Sequence, residues 1–186
     1  NNMQNGTEVQ KSFKKFHKHL REISVKNNNE KLWKSFTRWW VEAKYEGASH
    51  VWFTDEQGDG KIDAVVELPS NKFVVIQAKY NEKYQSGKAS NVNRVPGTGS
   101  SSYEPFDTIV IPSFEDQQKF DKYIADQKIE SVKAGIYRKA FEAGQEDPEN
   151  TQFEFITTFD EPNEIRNKFV YLQNLMYKHF FFLKSY

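Results

Sequence analysis

The chain has 186 residues, which is enough for one domain with a full-sized core. It carries 26 basic and 26 acidic side chains, and a formal net charge of zero argues against a protein held to nucleic acid by bulk charge alone. The absence of cysteine excludes disulfides and thiolate zinc sites. No apolar run approaches the roughly 20 residues that a membrane span needs, so we expect no membrane partner. The missing cysteines do not determine the compartment, and a cytoplasmic protein is the default expectation.

The first predicted element is an amphipathic helix. Apolar residues recur at steps of three and four over 8–24, within an N-terminal helical segment that we place at 1–26. The opposite side carries basic residues that include Lys14 and Lys18. It is either an ordinary solvated face or a surface that contacts phosphates. The opening residues, Asn-Asn-Met, are compatible with a chain excised from a longer protein.

A second helix is predicted over about 29–44, after three consecutive asparagines that offer an N-cap. Its aromatic face is more typical of a packed core than of a platform on which bases stack. Glu42 lies near the end of this helix and is a candidate metal ligand. We expect a strand at 50–54, followed by a turn-rich, acidic connection.

Two alternating runs follow the acidic connection, at 58–67 and at 73–80. The alternation predicts two strands, and Pro-Ser-Asn-Lys at 69–72 predicts the hairpin connection between them. Successive side chains of a strand point to opposite faces. Asp63 and Glu67 therefore share one face of the first strand.

Gln77 and Lys79 share one face of the second predicted strand. If pairing brings the two faces together, Asp63, Gln77 and Lys79 converge at one end of the sheet. A carboxylate, a neutral oxygen ligand and an ammonium group can hold a hard divalent metal beside a phosphodiester. Taken singly, Asp63 could serve only to stabilise a turn, and Lys79 could be an ordinary solvated residue at a strand end. Gln77 interrupts an apolar run, and a buried amide without partners costs about 1–3 kcal/mol.

Residues 82–104 are rich in glycine and serine, with almost no apolar periodicity. A loop of this length in a compact domain is usually functional or mobile. The positive bias from Lys83, Lys88 and Arg94 fits a flexible flap over a polyanion, and disorder without a role is the alternative. The glycines do not form a phosphate-binding loop, because no Gly-Lys-Ser/Thr follows a strand.

The remaining elements are predicted as a strand at 106–112, a helix at 114–127 capped by Ser113, a helix at 129–144, a strand at 153–158 and a C-terminal helix at 161–186. The order predicts an α/β fold with a central mixed sheet flanked by helices. The last helix ends in aromatic residues, which would be a costly patch if exposed. This end predicts a homodimer or packing against an additional domain, and an edge strand folded back on the sheet is the alternative.

The run GDGKID at 58–63, followed by VIQAK at 75–79, resembles the Mrr-like branch of the PD-(D/E)xK nuclease superfamily. In that branch glutamine replaces the second acidic residue and gives Q-x-K. The resemblance implies a restriction-endonuclease-like core and a single nuclease-like domain over 1–186. The pattern itself covers about 25 residues, and the order of elements extends it loosely over 29–158.

The resemblance also implies roles for individual residues. Asp63 corresponds to the metal-binding aspartate, Gln77 to the variant second ligand and Lys79 to the catalytic lysine. Mg²⁺ prefers oxygen ligands, and the Ala78 carbonyl could supply a further one beside Asp63 and Gln77. Asp59 matches the acidic residue that precedes the glycine pair of the family.

Two positions depart from the pattern, since Lys61 replaces the second glycine of that pair and Ala64 stands where glycine usually follows the aspartate. Lys61 adds a positive charge that could weaken ion binding or hold the phosphate more strongly. If Asp63 is not the ligand, Asp59 and Glu67 are the next candidates.

By this resemblance we expect a Mg²⁺-dependent endonuclease that hydrolyses DNA, of the restriction or defence type, with Mn²⁺ able to substitute. A nucleic-acid-binding module of the same fold with weak or no catalysis is the alternative, because Gln77 already departs from the two-acid pattern. A structural domain that binds another protein is the third interpretation.

Overall fold

The computed structural model describes residues 2–80 and 105–157. Within these ranges the chain is a mixed α/β protein whose four strands form one mixed sheet, in the order β1-β2-β3-β4, with helices around it. The elements, in chain order, are α1 (Asn2–Lys26), α2 (Leu32–Lys44), β1 (His50–Phe53), β2 (Ala64–Leu68), β3 (Lys72–Lys79), a π-helical turn (Phe106–Val110), a short helical turn (Ile111–Ser113), α3 (Gln117–Asp126), α4 (Ser131–Glu146), a 3₁₀ turn (Pro148–Asn150) and β4 (Thr151–Thr157).

The described residues fall into two compact units. The first comprises 2–39, 78–80 and 155–157, and the second comprises 40–77 and 105–154. The single domain over 1–186 stays a prediction. The flexible loop at 82–104, the C-terminal helix at 161–186 and the aromatic end lie outside the described residues.

The first unit has an aromatic core built by α1 and the beginning of α2. Phe16 of α1 is fully buried, and its ring meets that of Trp39 edge-on, with centroids 4.6 Å apart. Phe36 is also fully buried, and its ring lies 5.6 Å from that of Tyr80. The predicted aromatic face is therefore only partly core, since Phe36 is buried, Trp39 and Trp40 are half-buried and Trp33 is 41% exposed.

α1 ends at Lys26, directly before the three asparagines that were predicted to break the helical pattern. The N-cap predicted for them is wrong, because α2 begins only at Leu32. Asn28 and Asn29 have φ angles of 58° and 57°, in the left-handed region that asparagine tolerates better than most residues. The Asn27 side chain donates a hydrogen bond to the Ile23 carbonyl, 2.8 Å away. These residues end the helix because their backbone cannot continue it.

The second unit contains the predicted hairpin. β2 and β3 pair antiparallel, with Val65 opposite Val75 and Leu68 opposite Lys72, and β1 pairs antiparallel with the other edge of β2. Successive side chains of a strand point to opposite faces. Val74, Val75 and their partners in β2 are all at most 1% exposed, so both faces of these strands are buried. β2 and β3 are thus central strands covered on both sides.

The first alternating run is only partly a strand. β2 begins at Ala64, so Asp63 lies just before it and residues 58–63 form a turn. The backbone explains the correction, because Gly58, Gly60 and Lys61 have φ angles of 78°, 62° and 71°. An extended strand requires negative φ at every position.

The strand predicted at 106–112 is wrong, because the chain forms a π-helical turn over Phe106–Val110 and a helical turn over Ile111–Ser113. A short apolar run does not distinguish a strand from a buried helix by periodicity alone. Phe106 and Val110 are both fully buried four residues apart, which is helical spacing. Pro112 sits in the first turn of a helix, where its missing N–H is harmless.

The cap predicted at Ser113 is also wrong. Its hydroxyl donates to the Val110 carbonyl, 2.5 Å away. Asp116 caps α3 instead, and its carboxylate accepts a hydrogen bond from the Lys119 backbone N–H at 2.8 Å.

α4 packs against β2 through a buried face that includes Tyr137 and Phe141. Phe141 stacks on Phe120 of α3, with ring centroids 4.5 Å apart. Val132, near the start of α4, is 66% exposed. None of the helices within 2–80 and 105–157 is long and apolar enough to cross a membrane.

Candidate functional site

Asp63 lies directly before β2 and is held by two backbone hydrogen bonds. Its backbone N–H donates to the Ile76 carbonyl at 2.8 Å, and its carbonyl accepts from the Thr54 N–H at 2.9 Å. These two bonds attach Asp63 to the segments that follow β1 and that form β3. The half-buried side chain is thus held beside the strand that carries Gln77.

Residues 55–63, which we call the acidic loop, are held by two buried tyrosines. The Tyr123 hydroxyl donates to the Gly60 carbonyl at 2.5 Å, and the Tyr137 hydroxyl donates to the Asp59 carbonyl at 2.6 Å. Burial raises the pKa of both phenols, and the nearby Asp59 carboxylate raises it further. Both tyrosines therefore stay protonated and keep donating to the loop backbone.

Three carboxylates of the acidic loop affect the Tyr137 hydroxyl. Burial raises the pKa of this phenol, a hydrogen bond with Thr54 lowers it, and the negative charges of Asp59, Asp63 and Asp55 raise it further. A single buried hydroxyl thus lies in the field of three aspartates of the acidic loop. Positive charge supplied by a ligand would be favoured in such a field.

Gly60 has no room for a side chain. A Cβ at this position would lie 2.4 Å from the Tyr123 hydroxyl oxygen and 2.6 Å from the Ile129 Cδ1 atom. The next residue, Lys61, has φ of 71°, which favours glycine, and its N–H donates to the Asp59 carboxylate at 2.9 Å. Lys61, which replaces the second glycine of the pair in the nuclease motif, thus has a backbone conformation suited to glycine.

Gln77 is buried in β3, as its place in an apolar run predicted, with only 3% of its surface exposed. Its side-chain oxygen, Oε1, has no hydrogen-bond partner within the described part of the chain. A buried amide oxygen normally has a partner, since leaving it without one costs about 1–3 kcal/mol. The Gln77 side chain thus carries an unsatisfied acceptor within the buried part of β3.

Lys79 is the last residue of β3 and is half-buried. It lies two residues after Gln77 in the same strand, so both side chains project from one face of that strand. Ala78 between them is half-buried and belongs to the same strand.

The other predicted ligands are placed differently. Glu67 lies four residues along the chain from Asp63, towards the other end of β2, where its Cα partner in β1 is His50. Four residues of strand span about 13 Å, so the structure does not bring Glu67 to Asp63. Glu42 is exposed near the end of α2. Among residues 2–80 and 105–157, no three histidine or acidic side chains are grouped to hold a metal ion.

Of the predicted nucleic-acid contacts, Lys61 is half-buried in the acidic loop, and Lys14 and Lys18 are exposed on α1. Lys83, Lys88 and Arg94 lie outside the described residues.

The sequence did not point to Glu154, which is a fully buried carboxylate on β4. One oxygen accepts hydrogen bonds from Lys44 Nζ at 3.0 Å and from Trp40 Nε1 at 3.2 Å. Burial raises the pKa of this carboxyl, and Lys44 opposes the shift. The only local signal in the sequence was an acidic residue between two phenylalanines. A strand with one exposed face shows the same alternation, so the pattern did not indicate a buried carboxylate.

Comparison of the chain with protein-family models, with curated proteins and with solved structures found no match. The likeness to the nuclease superfamily therefore rests on the motif.

Proposed function

We propose that the protein is a metal-dependent phosphodiesterase that cleaves DNA, with Asp63, Gln77 and Lys79 as its working residues. The observation that carries the proposal is the Gln77 side-chain oxygen, buried and without a partner in the described part of the chain. A metal ion or its bound water at this oxygen would satisfy the amide. The cost of about 1–3 kcal/mol for a buried, unpaired group would then be recovered.

The donor set fits Mg²⁺. This ion prefers oxygen ligands and often takes only one or two carboxylates, while water and substrate phosphate complete its shell. Asp63, the Gln77 amide oxygen and the Ala78 carbonyl would hold it, and Mn²⁺ would substitute. When bound, the ion lowers the pKa of a water molecule and polarises a phosphoryl oxygen.

The other catalytic effects, positioning and charge stabilisation, come from the protein's own residues. The tyrosine-held acidic loop keeps Asp63 in one position, so little reorganisation is needed when the substrate binds. Lys79 supplies a fixed positive charge that orients the attacking water and stabilises the charge that develops on the phosphate. Partial burial strengthens this electrostatic effect, because less water screens it.

The element order supports a restriction-endonuclease-like core as part of the proposal. Three consecutive antiparallel strands are followed by helices and by a fourth strand next to β3. A role in defence against foreign DNA follows from the same resemblance, and the cytoplasm is the default compartment. The homodimer or additional domain proposed for the C-terminal aromatic end extends this to double-strand cleavage, which usually calls for two active sites.

A second candidate is a module of this fold that binds nucleic acid without cleaving it. The neutral Gln77 favours it, together with the lack of a three-acid cluster among residues 2–80 and 105–157. An amide binds Mg²⁺ less strongly than a carboxylate does.

Nicking of supercoiled plasmid in Mg²⁺ or Mn²⁺ tests the proposal. Lys79→Ala should lower the rate by roughly 10²–10³-fold, because it removes the charge that stabilises the transition state. The matched control is Lys72→Ala, which changes an exposed lysine at the other end of the same strand and should cleave normally. Cleavage by Lys79→Ala at the wild-type rate would refute the mechanism.

Calorimetry with Mn²⁺ tests the ligand assignment separately. Asp63→Asn should abolish measurable binding, because it removes the only carboxylate in the proposed donor set. Lys79→Ala should bind Mn²⁺ nearly as the wild type does, since lysine is not a ligand. Unchanged affinity in Asp63→Asn would move the site elsewhere. DNA binding without nicking supports the second candidate, and neither activity supports a protein-interaction domain.

A further inference from the structure

The exposed side of α1 concentrates positive charge that the proposed catalytic residues do not use. Between positions 14 and 26, where the side chains are described, five basic residues are exposed, and Glu22 is the one acidic residue. We call these five side chains the basic face of α1: Lys14, Lys15, Lys18, Arg21 and Lys26. The whole chain is neutral, so the face is a local asymmetry and not a consequence of overall charge.

Three members of the basic face form one stripe along the helix. Lys14, Lys18 and Arg21 follow one another at steps of four and three, which puts them on the same side of the helix. They span about 10 Å along the axis, given a rise of about 1.5 Å per residue. One strand of duplex DNA presents a phosphate about every 3.4 Å, so the stripe covers roughly three phosphates.

No residue of the basic face has an ion-pair partner among the side chains that the structure describes, at 14–80 and 105–156. Exposed lysines of α3 behave differently, since Lys119 and Lys122 each pair with an acidic residue one turn away. Like charges at such spacings destabilise a helix by about 0.2–0.5 kcal/mol per pair. A polyanion bound to the stripe would turn this repulsion into attraction.

The opposite side of α1 is occupied by the protein core. Phe16 and Leu20 are fully buried, and the Phe16 ring packs edge-on against Trp39. Helices that lie on membranes bind by inserting an exposed apolar face, assisted by basic residues beside it. α1 has the basic residues, but its apolar side is taken up by the core. The helix therefore suits a polyanion in water better than a lipid surface.

We propose that the basic face of α1 binds the phosphate backbone of duplex DNA. The choice of DNA rests on the proposed function. Binding at this face requires neither the metal ion nor Lys79, so it persists in EDTA. It depends on salt and not on DNA sequence, because phosphate contacts release counterions and read no bases.

The test is fluorescence anisotropy of a labelled duplex in EDTA, titrated with the full chain over a series of salt concentrations. The triple variant Lys14→Gln, Lys18→Gln, Arg21→Gln should bind roughly 10- to 100-fold more weakly near 100 mM salt. The slope of log K against log salt should become less steep by roughly 2–3, since each lost contact accounts for about 0.9. The single variant Lys18→Gln should lower it by about 0.9 and keeps the test valid if the triple variant folds poorly.

The matched control removes the same charge from exposed lysines on α3 and α4: Lys119→Gln, Lys122→Gln and Lys139→Gln. Its slope should equal that of the wild type. Equal losses in the two triple variants, or no duplex binding by the wild type, would overturn the inference. So would binding to phosphatidylserine vesicles in place of DNA.

The inference and the proposed function can fail separately. A chain that binds duplex in EDTA through α1 but never nicks plasmid contradicts the proposed function alone. A chain that nicks plasmid while its α1 variant binds DNA normally contradicts this inference alone.

Discussion

The structure of the acidic loop predicts a large loss of stability when Gly60 is replaced by alanine. Gly60→Ala should destabilise the protein by roughly 2–5 kcal/mol, for two reasons. The left-handed φ of 62° costs a residue with a Cβ roughly 1–2 kcal/mol. The new Cβ would lie 2.4 Å from the Tyr123 hydroxyl, so the bond from that hydroxyl to the Gly60 carbonyl must break or stretch. Leaving those buried groups unpaired costs roughly 1–3 kcal/mol.

Two other glycines separate the contributions. Gly58 has a φ of 78°, but its nearest neighbour would lie 3.6 Å from a new Cβ, in ordinary contact. Gly58→Ala should therefore cost only the conformational part, roughly 1–2 kcal/mol. Gly135 lies within α4 with nothing within 4 Å of the new Cβ, so Gly135→Ala should stabilise by roughly 0.5–1 kcal/mol.

Urea unfolding followed by tryptophan fluorescence measures all three. Equal losses for Gly58→Ala and Gly60→Ala would refute the role of the tyrosine contact. A double-mutant cycle gives a second check, because Tyr123→Phe removes the hydroxyl that the new Cβ meets. The cost of the Gly60→Ala, Tyr123→Phe pair should then fall short of the sum of the single changes.

Two further changes probe buried polar groups by urea unfolding. Tyr137→Phe should lower the free energy of unfolding by roughly 1–3 kcal/mol, because it leaves a carbonyl of the acidic loop without its donor. The control is Tyr45→Phe, at a half-buried tyrosine. A similar loss in the control would contradict the reasoning. Burial raises the pKa of Glu154 in the folded state, so its contribution to stability is fully present below its unfolded pKa of roughly 4.3 and is lost as the pH rises through the folded pKa. The stability of Glu154→Gln relative to wild type should therefore rise from pH 4 to pH 7. A difference between the two that does not change with pH would refute the assignment.

The sequence predicted the parts of the fold that are set by local chemistry. The asparagines that end α1 and the hairpin between β2 and β3 are signals carried by a few adjacent residues. The burial of Gln77 was likewise indicated by its apolar neighbours. Such features can be predicted because the residues that cause them are close together in the chain.

The contacts that hold the candidate site come from distant parts of the chain. Tyr137 bonds to a carbonyl 78 positions away, and Tyr123 bonds to one 63 positions away. Glu154 meets Trp40 across 114 positions. A periodicity argument shows that such residues are buried or exposed but not what they contact. The strand predicted at 106–112, where the chain forms the π-helical turn Phe106–Val110, was wrong for a related reason. Five residues are too few to distinguish the period of a strand from that of a helix.

Lys61 connects the local and the distant contributions to the site. Its φ of 71° disfavours any residue except glycine by roughly 1–2 kcal/mol, yet the chain has lysine there. The bond from its N–H to the Asp59 carboxylate offsets part of this cost, and the Asp59 carbonyl is in turn held by Tyr137. The strained backbone is thus maintained by the same tyrosine whose hydroxyl lies in the field of Asp63. Under the proposed function, the positive charge that Lys61 adds to the acidic loop would lower the affinity for a metal ion and would attract a phosphate.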